Sequence, residues 1–196
     1  MNLHTLMLQS FFANIINDVT EISFANLFGL IAVVLKVVEF QLKKRNTRII
    51  LAMGGNICWL FYFFLKGSYA STISSVIAMS SNFVFMQRGK HKWASKPWWL
   101  YLFIGLTVLN CLFGYKSWVD IFAISAGLFG VIAYYSLNDK IYRYFSFVSL
   151  VCWLLNSIFN QYGIALANDA FATISVAVAI LRFYVFKKPK NKLTDK

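Results

Sequence analysis

Long apolar runs separated by short basic turns dominate the chain, and seven of them approach the roughly 20 residues of helix needed to cross a bilayer. They are Ile22 to Gln41, Ile49 to Leu65, Tyr69 to Met86, Trp98 to Tyr115, Trp118 to Tyr135, Ile141 to Phe159 and Ile164 to Phe186. The third is the least apolar, because Ser71, Thr72, Ser74, Ser75, Ser80, Ser81 and Asn82 dilute it. Small hydroxyl residues are tolerated in a span, where they bond backbone carbonyls and let neighbouring helices approach. Residues 1–21 read differently. Leu3 to Ile16 is moderately apolar but lacks the basic start and small-residue cleavage site of a signal peptide. A retained amphipathic segment lying in the membrane interface is expected there.

Charge gives these runs a direction. Lys43, Lys44, Arg45, Arg48, Arg88, Lys90, Lys92, Lys96, Lys140, Arg143, Lys187, Lys188, Lys190, Lys192 and Lys196 all fall on one side if every run spans. The other side receives Lys66 and Lys116. Fifteen basic residues against two is a strong positive-inside bias, so the basic side is expected to be cytoplasmic, with the N-terminus outside. Omitting the third span would move the Arg88 to Lys96 cluster outside, which argues for seven spans over six. Trp93, Trp98, Trp99 and Trp118 lie at or near span ends, where indoles favour the interface.

Composition agrees and closes off other classes. With 59% hydrophobic and 13% charged residues among 196, the chain carries more apolar surface than one soluble core hides. Its net charge of +12 is distributed as topology requires, so no nucleic-acid partner is expected. Anionic lipid headgroups beside the basic loops are the expected partners. Cys58, Cys111 and Cys152 are widely spaced within apolar runs and read as small buried hydrophobes. His4 and His91 lie outside the spans, and no carboxylate or cysteine cluster has metal-ligand or nucleophile–base spacing. Neither an enzyme nor a bound cofactor or metal is expected, and no phosphate-binding loop motif occurs.

An internal repeat shapes the expected architecture. Gly29-Leu30-Ile31-Ala32 is similar to the stretch from Gly127, Cys58-Trp59-Leu60 recurs as Cys152-Trp153-Leu154, and Gly67 and Gly163 follow. Asn82-Phe83-Val84-Phe85 matches Arg182-Phe183-Tyr184-Val185, each with a basic cluster after it. The expected fold is therefore an all-α membrane protein of seven transmembrane helices arranged as a 3+1+3 parallel repeat, with the C-terminus cytoplasmic. An odd number of spans per copy plus one inverting helix makes the copies parallel. The divisions are an interfacial segment (1–21), a first three-helix repeat (22–86), a basic loop and linker helix (87–117), a second repeat (118–186) and a basic tail (187–196).

The Ala25-Asn26-Leu27-Phe28-Gly29-Leu30-Ile31-Ala32 stretch, the basic turn, the Trp59 to Gly67 segment and the Ile180-Leu181-Arg182-Phe183 ending resemble the YgjV-type bacterial inner-membrane proteins. The similarity runs from about Ala25 to Lys190. It implies a multi-pass protein of the bacterial inner membrane, akin in plan to SWEET and PQ-loop transporters, and almost no chemistry. Those transporters carry prolines within their spans, whereas Pro97 and Pro189 lie outside the spans here. Gly54-Gly55 and Gly127 with Gly130 are substitute hinges or, alternatively, close-packing positions.

Candidate functional residues are the neutral polar and aromatic groups near mid-span, each of which needs a partner in a medium without water. Asn56 and Trp59 share a face, as do Trp153, Asn156 and Asn160. If these faces meet between the repeats, with Trp59 opposite Trp153, indoles and amides would suit a small uncharged polar solute such as a sugar or nucleoside. Interhelical bonding and packing is the alternative. Asn82 and Arg182 occupy matched places as weaker gate candidates, with snorkelling or a structural pair the alternative for Arg182. Asp169 is a weaker ion-site candidate that would be hydrated if shallow. Lys36 and Glu39 are spaced for a local ion pair. Two functions remain: a transporter or facilitator, or a non-transporting structural or accessory membrane protein. Oligomeric state is left open.

Overall fold

The computed structural model describes residues 24–67, 69–114, 118–160 and 163–185, together with Ala13 and Ile16. The rest of the expected interfacial segment (1–21), the basic tail (187–196) and the side chain of Asn160 lie outside the described residues. Among the described residues seven helices form: α1 (Phe24–Gln41), α2 (Arg45–Leu65), α3 (Tyr69–Gln87), α4 (Trp98–Gly114), α5 (Asp120–Tyr135), α6 (Asp139–Asn160) and α7 (Gly163–Ile180). A π-helical turn, Leu181–Val185, continues α7.

Local chemistry sets the boundaries. After α2 the chain turns at Gly67, whose φ of 72° suits a residue without Cβ, and its N–H bonds Phe64 O at 3.1 Å. Gly89, at φ 86°, makes the corresponding turn after α3. Asn138 caps α6, its Oδ1 accepting the Lys140 N–H at 2.9 Å, and Asp139 places negative charge at the positive end of the helix dipole.

α1, α2, α6 and α7 with its π turn are long and apolar enough to cross a membrane. α4 and α5 are apolar but shorter, at 17 and 16 residues. Each helix packs on its neighbours in sequence, α7 packs back on α1, and α3 also touches α5. A closed ring of helices results, and large apolar side chains such as Phe24, Leu30, Phe64 and Phe113 face outward. In water such a surface would aggregate; against lipid tails it costs nothing.

Three clusters fill the interior. Phe40, Ala133, Tyr142, Leu150, Ala172 and Val176 join α1, α5, α6 and α7. Val84, Phe85, Ala94, Phe103 and Val131 join α3, α4, α5 and the intervening loop. Ala25, Tyr62 and Ile164 close the opposite end of α1, α2 and α7. Two glycines permit close approach. A Cβ on Gly127 would stand 2.7 Å from Thr107 Cγ2 of α4, and one on Gly29 would stand 3.0 Å from Ile164 Cγ2 of α7. Packing is thus the observed role of Gly127; Gly54 and Gly55 have ordinary room around them.

Candidate functional site

The basic end of the ring, where α1, α3 and α5 finish and α2 and α6 begin, contains a buried charged network. Glu39 on α1 is fully buried. Its Oε1 accepts hydrogen bonds from Tyr134 OH of α5 at 2.6 Å and from Tyr142 OH of α6, and its Oε2 pairs with Lys36 Nζ at 3.1 Å. Lys36 also donates to Tyr134 OH at 2.8 Å, with its ammonium 5.2 Å from the centroid of the Phe40 ring. Lys36 and Glu39 therefore form the local pair that their spacing implies, but inside the bundle and tied to two other helices.

A second carboxylate sits beside the first. Asp139, at the start of α6, pairs with Arg48 of α2 through Oδ1 and with Arg143 Nε at 3.2 Å through Oδ2, which also accepts from Tyr184 OH. The Arg48 guanidinium lies over the Tyr142 ring, 4.3 Å from its centroid. The Arg48 and Arg143 side chains are buried while that of Asp139 is 40% exposed, and buried charges persist only when paired and hydrogen-bonded in this way.

The arginines also meet the ends of helices. Arg143 donates to Phe40 O and, at 2.9 Å, to Leu42 O. Arg45 Nη2 donates to Phe85 O at 2.6 Å and Tyr134 O at 3.3 Å, and Arg88 donates to Tyr135 O. The last carbonyls of α1, α3 and α5 have no partners within their helices and carry the negative end of the helix dipole. Arginine forks satisfy both needs.

A further buried polar group lies toward the other end of α7. Asp169 is 6% exposed; its Oδ2 accepts from Ser157 Oγ at 2.7 Å and its Oδ1 from Asn168 Nδ2 at 3.0 Å. Asn26 and Asn156 are buried on the neighbouring helices α1 and α6. On the α1–α7 seam, Gln41 Nε2 donates to Ser175 Oγ at 2.9 Å, which donates to Val37 O at 2.9 Å.

The residues singled out by sequence are divided by this arrangement. Asn156 and Asp169 belong to the buried polar set. Trp59 instead stacks on Phe63 at 5.3 Å and meets Tyr62 edge-on, inside the Ala25–Tyr62–Ile164 cluster. Trp153 is half-buried on α6 and is not among the ring neighbours of Trp59, and Asn56 is half-buried on α2. Asn82 is buried, and neither amide atom has a partner among the described residues. Its repeat counterpart Arg182 is exposed beside the Phe183 ring.

A family model named Imp-YgjV, described as bacterial inner membrane protein, matches residues 23–187. The chain belongs to this YgjV family. It is a bacterial inner membrane protein, in keeping with the outward-facing apolar surface of its helices. No curated protein and no solved structure matches it. In this YgjV-family chain the groups that sequence reasoning missed are Tyr134, Asp139, Tyr142, Arg143 and Tyr184. One signal was present. Asp139, Tyr142, Arg143, Ser146 and Ser149 recur at helical spacing along α6, and a polar stripe on a membrane helix marks its interior face.

Proposed function

We propose that this YgjV-family protein is a seven-span transporter or facilitator of a small uncharged polar solute, with its basic end in the cytoplasm and its pathway inside the helix ring. The observation that carries this reading is the interior polar set: buried Asn26, Asn156, Ser157, Asn168 and Asp169 toward one end, and buried Glu39 and Tyr142 with half-buried Lys36 and Tyr134 toward the other. Polar groups within a bilayer are costly, and they concentrate where a solute or proton is handled. Asp169, which has no ion pair among the described residues, is the group at which a proton or cation would couple.

Helix packing supports the two-unit arrangement. The succession α1–α2–α3 is echoed by α5–α6–α7, and the α1–α7 contact is echoed by α3–α5, with α4 outside as the linker. A parallel repeat places its site between the two units. Orientation rests on the charge bias.

The test is thermal unfolding of purified protein with sugars, nucleosides, vitamins and amino acids, using Asn156→Ala and Ser157→Ala as controls. A ligand that binds the folded state stabilises it by mass action. A shift lost in both variants supports transport. A second reading, a structural or accessory protein, is favoured by the aromatic packing of Trp59 and by the arginine ties between helix ends. No shift with any solute, together with variants that are merely less stable, would transfer support to it.

A further inference from the structure

The loop between α3 and α4 is folded and pinned at three points. Arg88 donates to Tyr135 O with its guanidinium 3.5 Å from the centroid of the Tyr135 ring, and Ala94 is buried against Val84, Phe85, Phe103 and Val131. Ser95 Oγ accepts from the Gly89 N–H at 3.3 Å and donates to His91 O at 3.0 Å. These contacts surround a depression of about 330 Å³ lined by Gly89, Lys90, His91, Lys92, Ser95 and Lys96.

Charge and position define what this depression suits. Three lysines contribute to it and no carboxylate does. At this end of the ring the described carboxylates Glu39 and Asp139 are already engaged by Lys36, Arg48 and Arg143. Among the described residues no free carboxylate faces the lysines, which leaves them open to an anion from outside. Alongside, Trp99 Nε1 donates to Trp93 O at 2.9 Å and the Trp98 and Trp99 rings lie 4.1 Å apart, at the start of the apolar helix α4. Indoles of this kind settle at headgroup depth.

We propose that this loop is a seat for the phosphate of an anionic phospholipid, with the lysine ammonium groups donating to the phosphate oxygens and the acyl chains lying along α4. A phosphate ester is the ligand chemistry; the tryptophans and the adjoining apolar helix select the lipid over a free phosphate. The seat requires only the membrane location and stands whether or not the protein transports a solute.

Native mass spectrometry and thermal unfolding of the full chain in neutral detergent, with added phosphatidylglycerol or phosphatidylcholine, test it. Phosphatidylglycerol is expected to bind and stabilise preferentially. Substituting Lys90→Ala, Lys92→Ala and Lys96→Ala together should weaken it on the order of a hundredfold. A charge-matched control, Lys43→Ala with Lys44→Ala and Lys140→Ala, should keep most of the binding. Ser95→Ala, which leaves charge unchanged, should weaken it measurably. Equal losses in the loop and control variants, or no loss in the loop variant, would overturn the seat. Stabilisation by inorganic phosphate or glycerol phosphate without a response to phosphatidylglycerol would overturn the lipid as its source.

Discussion

Glu39 is the residue on which most of the basic end converges. A lone carboxylate there would bear the full cost of desolvation, whereas Glu39 has two tyrosine hydroxyls donating to Oε1 and the Lys36 ammonium facing Oε2. Arg143 holds the opposite sign with equal completeness, bonding Asp139 and two carbonyls of the α1 terminus. Arg143→Ala should therefore cost about 1–3 kcal/mol, because it leaves two carbonyls of the α1 terminus without their donor, while Asp139 keeps Arg48 and Tyr184. Thermal unfolding in detergent measures this, and Arg143→Lys, which keeps the charge but loses the fork, should recover part of it. Asn82 presents the reverse case, a buried amide with neither atom bonded among the described residues. Asn82→Leu should raise stability by about 1–3 kcal/mol, since an unsatisfied polar group is removed. A loss instead would mean that a hydrogen-bonding partner occupies that space.

At the scale of the element, the apolar runs located each of the seven described helices from Phe24 onward, because hydrophobic length is a local property that a bilayer reads directly. The main discrepancy is α2, which begins at Arg45 rather than Ile49. Arg45 and Arg48 look like loop residues in sequence because a charge ordinarily ends a span. In the fold they are the first turns of a helix, since their partners are backbone carbonyls and Asp139, which is 91 residues from Arg48. No local pattern displays a partner at that distance. The same limit explains the candidate site: Asn156 and Asp169 were legible as polar residues in apolar runs, whereas the facing of Trp59 depended on which helices adjoin. The α4–α5 contact is a separate test. Gly127→Ala should destabilise by about 1–3 kcal/mol through overpacking against Thr107. Adding Thr107→Ser removes the methyl that meets the new Cβ and keeps a hydroxyl for Phe103 O, so the double variant should regain most of that loss.

For the whole molecule, the ring places the basic loops together at one end, and the sidedness proposed from charge can be checked directly. In a cysteine-free background, Lys92→Cys and Lys66→Cys should be modified by a membrane-impermeant thiol reagent from opposite faces of the membrane, with Lys92→Cys reached only from the cytoplasm. Reaction of both from one side would rule out the seven-span arrangement.

The ties at the basic end also bear on how the protein is made. Lys36 and Glu39 reach Tyr134 and Tyr142, Gln41 reaches Ser175, Arg45 reaches Tyr134 O and Arg48 reaches Asp139. Every one of these links a residue before the α3–α4 loop to a residue after it. As the ribosome delivers the chain, Glu39 and Lys36 at first have only each other, Arg45 has only Phe85 O, and Arg48 lacks the carboxylate it pairs with. The nascent first half must wait, incompletely compensated, until α6 arrives. An N-terminal fragment released alone would be a target for membrane proteases, and the two halves made separately would persist only when produced in the same cell.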